Sequence, residues 1–173
     1  MLIHTLGPEE TDSAAAAQSY LAHHPGQLQL HTSFEELLRR LRNFAGDYLL
    51  LPTAFHGNQT LPLSWGQVHY RYLDQLELKE AFVTELDEIV ILENIARPTG
   101  LAYSHPATAD LLAQTVKAEI QFSPSKYQAY QAYQKDGRYV LTSRKLVDLR
   151  PSERILKRFQ VKMIWSLYLI KER

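Results

Sequence analysis

Apolar and polar positions along the chain alternate between short apolar runs and longer amphipathic or alanine-rich stretches. Leu2 to Leu6 is a compact apolar run, read as a buried strand, and the alanine-rich stretch from Asp12 to His24 is read as a helix that Pro25-Gly26 ends. Gln27 to His31 alternates polar and apolar, which suits a second strand. Ser33-Phe34-Glu35-Glu36 has the form of a capping box, with Leu37, Leu38 and Leu41 following at helical spacing on a segment that ends between Asn43 and Gly46. Tyr48 to Leu51 is continuously apolar, the mark of a strand covered on both faces, and Pro52 closes it. This β-α-β-α-β order predicts a parallel sheet with right-handed crossovers.

Beyond Pro52 the texture changes. Thr53 to Ser64 carries the turn signals Gly57, Asn58 and Pro62 and reads as a loop. Val68 to Tyr72, Leu76 to Val83 and Glu88 to Ile95 read as strand-like segments, some antiparallel, that open a second lobe. Arg97-Pro98-Thr99-Gly100 is a turn, Leu101 to Tyr103 a short strand, and Pro106 to Lys117 a helix capped by Ser104 or His105. The unit repeats with a strand at Glu119 to Phe122 and a helix opened by Ser123-Pro124-Ser125, whose Tyr127, Tyr130 and Tyr133 form a packing face. A further strand, Arg138 to Leu141, runs into a short helix beginning at Thr142-Ser143. Ile155 to Val161 and Met163 to Ile170 follow as tail segments; the second is a strand that pairs across the lobes or with another copy in a homodimer. The domain organisation expected is therefore 1–64 as the main part of a first lobe, 65–150 as a second lobe with the hinge, and 151–173 as a returning segment.

Composition narrows the function classes. With 45% hydrophobic residues in 173, the chain can bury a sizeable core. Nineteen basic residues balance nineteen acidic ones, so no global field draws the chain to nucleic acid or an anionic membrane. The absence of cysteine excludes disulfides, thiolate metal sites and a cysteine nucleophile. The first residues lack the basic and long apolar regions of a signal peptide, no window is apolar enough for a membrane span, and a cytoplasmic protein is expected. No dinucleotide, P-loop, zinc-protease or calcium-loop spacing is present, and the seven histidines form no i, i+4 pair, so neither cofactor nor metal is expected.

The candidate chemistry gathers at strand-to-helix junctions. Gly7 to Ser13 leaves a strand and opens a helix, which presents backbone N–H groups and hydroxyls to an anion. Thr11/Ser13, Ser104/His105, Ser123/Ser125 and Thr142/Ser143 all hold such places, and in a parallel sheet these places share one edge. They are either a cleft for a small polyanion or four ordinary helix caps.

The stretch Leu6-Gly7-Pro8-Glu9-Glu10-Thr11-Asp12-Ser13-Ala14-Ala15 resembles the opening motif of prephenate dehydratases, Gly-Pro-x-Gly-Thr-[Phe/Tyr]-Ser-x-x-Ala. Asp47 to Pro52 is similar to the family's strand leading into Pro-Ile-Glu-Asn-Ser, Ser104-His105-Pro106 to its Ser-His-Pro segment, and Thr142-Ser143-Arg144 to a small-residue helix start. The resemblance spans nearly the whole chain. It implies a two-lobed, periplasmic-binding-protein-like (type II) α/β fold with mainly parallel sheets and prephenate's two carboxylates held in the interlobe cleft.

The departures from the family pattern sharpen the expectation. Glu10 stands for the usual Gly, Asp12 for the aromatic, and Thr53-Ala54-Phe55-His56 for Ile-Glu-Asn-Ser. The family's terminal Thr-Arg-Phe aligns with Ser166-Leu167-Tyr168, without the arginine, and no regulatory domain is expected after this single catalytic unit. Together these resemble the bacilysin-type prephenate decarboxylases, which release carbon dioxide without aromatising the ring, in the making of a non-proteinogenic amino acid or antibiotic. That resemblance implies substrate binding by Thr11, Ser13, Thr53, Ser104, Ser123, Ser125 and Tyr168, with His105 and His56 as proton donors. A divergent dehydratase using Ser166 as its acid, and a non-catalytic small-anion sensor of the same fold, are the alternatives.

Overall fold

The computed structural model describes residues 1–98 and 100–172, so Thr99 in the expected turn of Arg97 to Gly100 lies outside the described residues. The chain divides into two units, Met1–Thr84 with Lys162–Arg173, and Glu85–Val161.

In the first unit, β1 (Leu2–Leu6), α1 (Asp12–Leu21), β2 (Gln27–His31), α2 (Phe34–Arg39) and β3 (Tyr48–Pro52) follow the expected order. β1 lies parallel to both β2 and β3. Leu49, Leu50 and Leu51 are wholly buried, as a strand covered on both faces requires. The Thr11 hydroxyl caps α1 by accepting the Ala14 N–H, and Ala14, Ala16 and Ala17 form its buried side, small enough to bring the helix close to the sheet. α1 stops at Leu21, before the expected His24. Ser33 caps α2, but the Glu36 carboxylate accepts from Thr32 and Arg40 instead of returning to the cap, and after Arg39 the chain tightens into a 3-10 turn at Leu41–Phe44.

The stretch read as a strand at Val68 to Tyr72 is helical, within α3 (Trp65–Arg71). Ser64 and Gln67 form a reciprocal capping box there, and Trp65, Val68 and Tyr72, spaced three and four apart, meet the core; the apparent two-residue alternation was the weaker signal. β4 (Leu76–Glu85) then joins the first sheet, so this unit runs on to Thr84 past the expected boundary at residue 64.

In the second unit the elements are β5 (Ile89–Asn94), β6 (Leu101–Ser104), α4 (Ala109–Ala113), β7 (Glu119–Phe122), α5 (Lys126–Asp136), β8 (Tyr139–Ser143) and β9 (Glu153–Phe159). The five-stranded sheet has the order β7-β6-β8-β5-β9, with β6 parallel to β7 and β8, and β5 antiparallel to β8 and β9. Every residue of β5 is buried. Tyr130 and Tyr133 on α5 pack against Val90, Leu92 and Val140, as the expected packing face requires. The buried Glu93 carboxylate is gripped by Arg138 and Arg154, each through two N–H donors at 2.8 to 3.1 Å.

Three expected helix starts differ. Pro106 to Lys117 is not one helix but a 3-10 turn, Pro106–Thr108, followed by the five residues of α4. Pro124 precedes the Ser125 cap of α5 instead of sitting inside its first turn. Thr142 and Ser143 end β8, and only a 3-10 turn, Arg144–Leu146, follows.

The tail strand β10 (Lys162–Ile170) completes the first sheet, whose order is β2-β1-β3-β10-β4. It runs antiparallel to β3 and lies between β3 and β4, so both its edges are paired within the first unit. Among the described residues no helix is long and apolar enough to cross a membrane.

Candidate functional site

The turn from β1 into α1 is held mainly by its own backbone. Gly7 donates to the His31 carbonyl at 2.8 Å and Thr11 N–H to the Pro8 carbonyl at 3.0 Å. A Cβ on Gly7 would lie 3.0 Å from Leu30 Cβ, so glycine permits this close approach to β2. The Thr11 hydroxyl donates to the Leu6 carbonyl at 2.9 Å while accepting the Ala14 N–H at 3.2 Å. Thr11 is a cap whose donor proton is already used. Ser13, in the first turn of α1, is 5% exposed, and its hydroxyl makes no hydrogen bond among the described residues. It lies where the helix dipole and unused N–H groups favour negative charge.

In the second unit the junction from β7 into α5 is comparable. Ser125 caps α5 by accepting the Gln128 N–H at 3.1 Å. Ser123 donates its N–H to the Ser104 carbonyl at 3.0 Å, is 8% exposed, and has a hydroxyl with no hydrogen bond among the described residues.

Other residues that the sequence pointed to are engaged internally. Ser104 is fully buried, and its hydroxyl and that of Thr108 both reach the His105 carbonyl at 3.1 Å. The Thr142 hydroxyl donates to the Lys126 carbonyl. Both the N–H and the hydroxyl of Thr53 point at the Ile164 carbonyl, at 2.9 and 3.2 Å. Ser166 is 1% exposed and accepts the Trp65 indole N–H at 3.0 Å. Tyr168 is wholly buried, its hydroxyl 3.2 Å from His69 Nδ1, and burial pushes that hydroxyl's pKa up. Ser166 and Tyr168 are thus buried in the first unit, where one face of β10 carries them.

The two histidines are placed differently. His105 Nδ1 accepts the Ala107 N–H at 3.1 Å, which puts the proton of its neutral ring on Nε2. His56 is exposed in the loop after β3, and its Nδ1 lies 3.1 Å from the Gly57 carbonyl, so Nδ1 donates and Nε2 carries the lone pair. Two further histidines that no local pattern singles out, His4 and His31, are linked side chain to side chain in the first unit. Their pairing joins residues 27 positions apart, which periodicity along one strand cannot reveal. Among the described residues no group of three or more histidine and carboxylate side chains is arranged to hold a metal ion.

No family model matches the chain, and no curated protein matches it. Solved structures do. Over its full length the chain is similar to a prephenate dehydratase from Arthrobacter aurescens in complex with L-Phe, at 15% identity and a TM-score of 0.61, covering 63% of that chain. It is similar to the prephenate dehydratase of Staphylococcus aureus at 12% identity and a TM-score of 0.59, covering 67% of that chain. It also resembles the periplasmic VFT2 domain of Bordetella pertussis BvgS, at 12% identity and a TM-score of 0.53, with 98% of this chain and 80% of that one covered. The fold is the type II periplasmic-binding-protein-like α/β architecture. The chain spans about two thirds of the length of the two dehydratases, and identities this low carry the fold alone.

Proposed function

We propose that the chain binds prephenate, or a closely similar dicarboxylate, and releases carbon dioxide from it without aromatising the ring. The observation that carries this reading is the pair of buried serine hydroxyls, Ser13 and Ser123, each beside the start of a long helix and without a hydrogen bond among the described residues. A hydroxyl with its donor proton to spare can give it to a carboxylate oxygen, and such a charge-assisted bond contributes about 1.5–3 kcal/mol. Each serine is a position for one carboxylate.

Ser166 supports this choice of reaction. Dehydration needs an acid beside the leaving C4 hydroxyl, and the residue aligned with that acid is buried and bonded to Trp65. In the decarboxylation the bond from ring carbon to carboxylate breaks, its electron pair enters the ring diene, and one proton is delivered to a ring carbon while the hydroxyl stays. His105, with its ring proton on Nε2, and His56 when protonated on Nε2 are the proposed donors, and the ring itself is the electron sink, so the step calls on no cofactor. Thr11 shapes the binding turn as its cap.

The test is incubation of the purified protein with prephenate at neutral pH, following carbon dioxide together with ultraviolet spectra in acid and base. Carbon dioxide without the absorbance of an aromatic keto acid is the expected result. Phenylpyruvate formation would sink it in favour of dehydration. A second reading, binding without turnover, is favoured by the likeness to the BvgS periplasmic domain; calorimetric binding of prephenate with no product would establish it.

A further inference from the structure

The first unit contains a hydrogen-bonded chain of three titratable side chains that the proposed chemistry leaves unused. His4, in the middle of β1 and 2% exposed, has Nε2 3.1 Å from Asp47 Oδ2 and Nδ1 2.8 Å from His31 Nε2. A carboxylate only accepts, so His4 donates from Nε2; Nδ1 then holds the lone pair, and His31 donates to it from Nε2. The Phe44 ring packs on both imidazoles, its centroid 4.3 Å from that of His4 and 5.3 Å from that of His31. Nothing in this arrangement is local in sequence: β1, β2 and the entry to β3 each supply one group.

His31 is also the last residue of β2, and its backbone carbonyl accepts the Gly7 N–H. Gly7 begins the turn that leads to Thr11 and Ser13. One residue therefore grips the Asp47–His4 pair with its side chain and the binding turn with its main chain.

We propose that His31 is a positioning residue for the Gly7 to Ser13 turn, and that protonating its ring releases the turn. The inference rests on the reading of that turn as the anion-binding element. An added proton has to sit on His31 Nδ1 in a half-buried place, with His4 beside it from β1, Arg40 following α2 and Glu36 within α2, and with Asp47 behind His4. Burial, then His4, then Arg40 disfavour the charged ring, and Glu36 alone of these favours it. The folded-state pKa of His31 is accordingly below the ordinary imidazole value. Its contribution to stability is full above that ordinary value and is lost as the pH falls through the lower folded one. The charged ring keeps its Nε2–H for His4 but sets a cation in a half-buried place beside Phe44; moving toward water relieves that burial, at the expense of the His4 bond, and slackens the carbonyl that holds Gly7.

The experiment is a pH titration of the free protein by amide and imidazole NMR from neutral to mildly acid pH, in the wild type, His31→Gln and His31→Leu. Prephenate affinity is measured alongside by calorimetry at pH 7.5. The Gly7, Thr11 and Ser13 amides are expected to titrate with the His31 ring in the wild type and to stay flat in His31→Gln, whose amide donates to His4 without titrating. His31→Leu, with no donor, is expected to bind prephenate about tenfold more weakly. Flat amides in the wild type, or the same titration in His31→Gln, overturn the inference even where prephenate binds. Amides that follow His31 in a protein that binds no prephenate uphold the positioning role and instead overturn the ligand assigned under the proposed function.

Discussion

Both units set a parallel β-α-β-α-β arrangement beside an antiparallel fourth strand, yet they use their first strand-to-helix junction in opposite ways. After β1 the chain enters a ten-residue helix in which Thr11 supplies the cap and Ser13 keeps its hydroxyl unbonded among the described residues. After β6 the chain closes on itself: Ser104 and Thr108 share the His105 carbonyl, His105 caps a 3-10 turn, and only five α-helical residues follow. In the second unit the open hydroxyl lies instead at the next junction, Ser123 before α5. The lesson is that a hydroxyl at a strand end is available to a ligand only where the local backbone has not already taken it. The fourth strands differ as well. β10 places apolar and neutral groups beside β3, whereas β5 carries a carboxylate, Glu93, clamped by two arginines.

This comparison can be broken or sharpened experimentally. The largest effect belongs to the clamp. Glu93→Ala removes the carboxylate that ties Arg138 and Arg154 to β5 and is expected to lower hydrogen-exchange protection of the β5 and β8 amides. The Arg138 hydrogen bonds hold the Glu93 carboxyl below the ordinary carboxylate range, with Arg154 assisting against burial. Its folded pKa lies below the unfolded one, so its stabilisation is full above the ordinary range and is lost as the pH falls through the lower value. The wild type should therefore lose β5 protection in that acid window, and Glu93→Ala should show no such step. Equal acid profiles would remove the clamp from the account of the second unit.

Next comes Ser13→Ala, which should weaken prephenate binding about tenfold or more while leaving the unfolding midpoint in place, as expected for one lost charge-assisted bond. Ser104→Ala should keep affinity within about twofold, since its hydroxyl is bonded within its own turn. The reverse ranking in calorimetry would reverse the assignment of open and closed junctions. Thr11→Val should cost about 1–2 kcal/mol of stability through the lost cap, with any change in affinity following from the looser turn. The smallest effect is that of Ser166→Ala: about 1 kcal/mol in urea unfolding from the orphaned Trp65 N–H, with carbon dioxide release nearly unchanged. A collapse of turnover at unchanged stability would return Ser166 to the chemistry.

Much of this fold was legible in the sequence, because it was written in local patterns. The all-apolar Tyr48 to Leu51, the small-residue face of α1 and the Tyr130/Tyr133 face each depend on residues a few positions apart, and each formed the expected element. Val68 to Tyr72 misled because alternating polar and apolar residues on a short helix imitate a strand, and the deciding signal was the Ser64/Gln67 box upstream. The candidate site was legible as positions but not as roles. Which of Thr11 and Ser13 has a hydroxyl to spare depends on the Leu6 carbonyl, and the fate of Ser166 on an indole 101 residues away. The His4, His31 and Asp47 chain draws on β1, β2 and the entry to β3 at once, and no period along the chain encodes it.

The place of β10 between β3 and β4 sets a schedule for biosynthesis. A ribosome that has made both neighbours must still translate residues 86–161, nearly the whole second unit, before Lys162–Ile170 can fill the slot. At about 5–20 residues per second, β3 and β4 wait several seconds with unpaired backbone facing the cell. The charged residues of β4, Glu77, Lys79, Glu80 and Glu85, then act as guards that keep the waiting edge from pairing with a nascent neighbour on the same messenger.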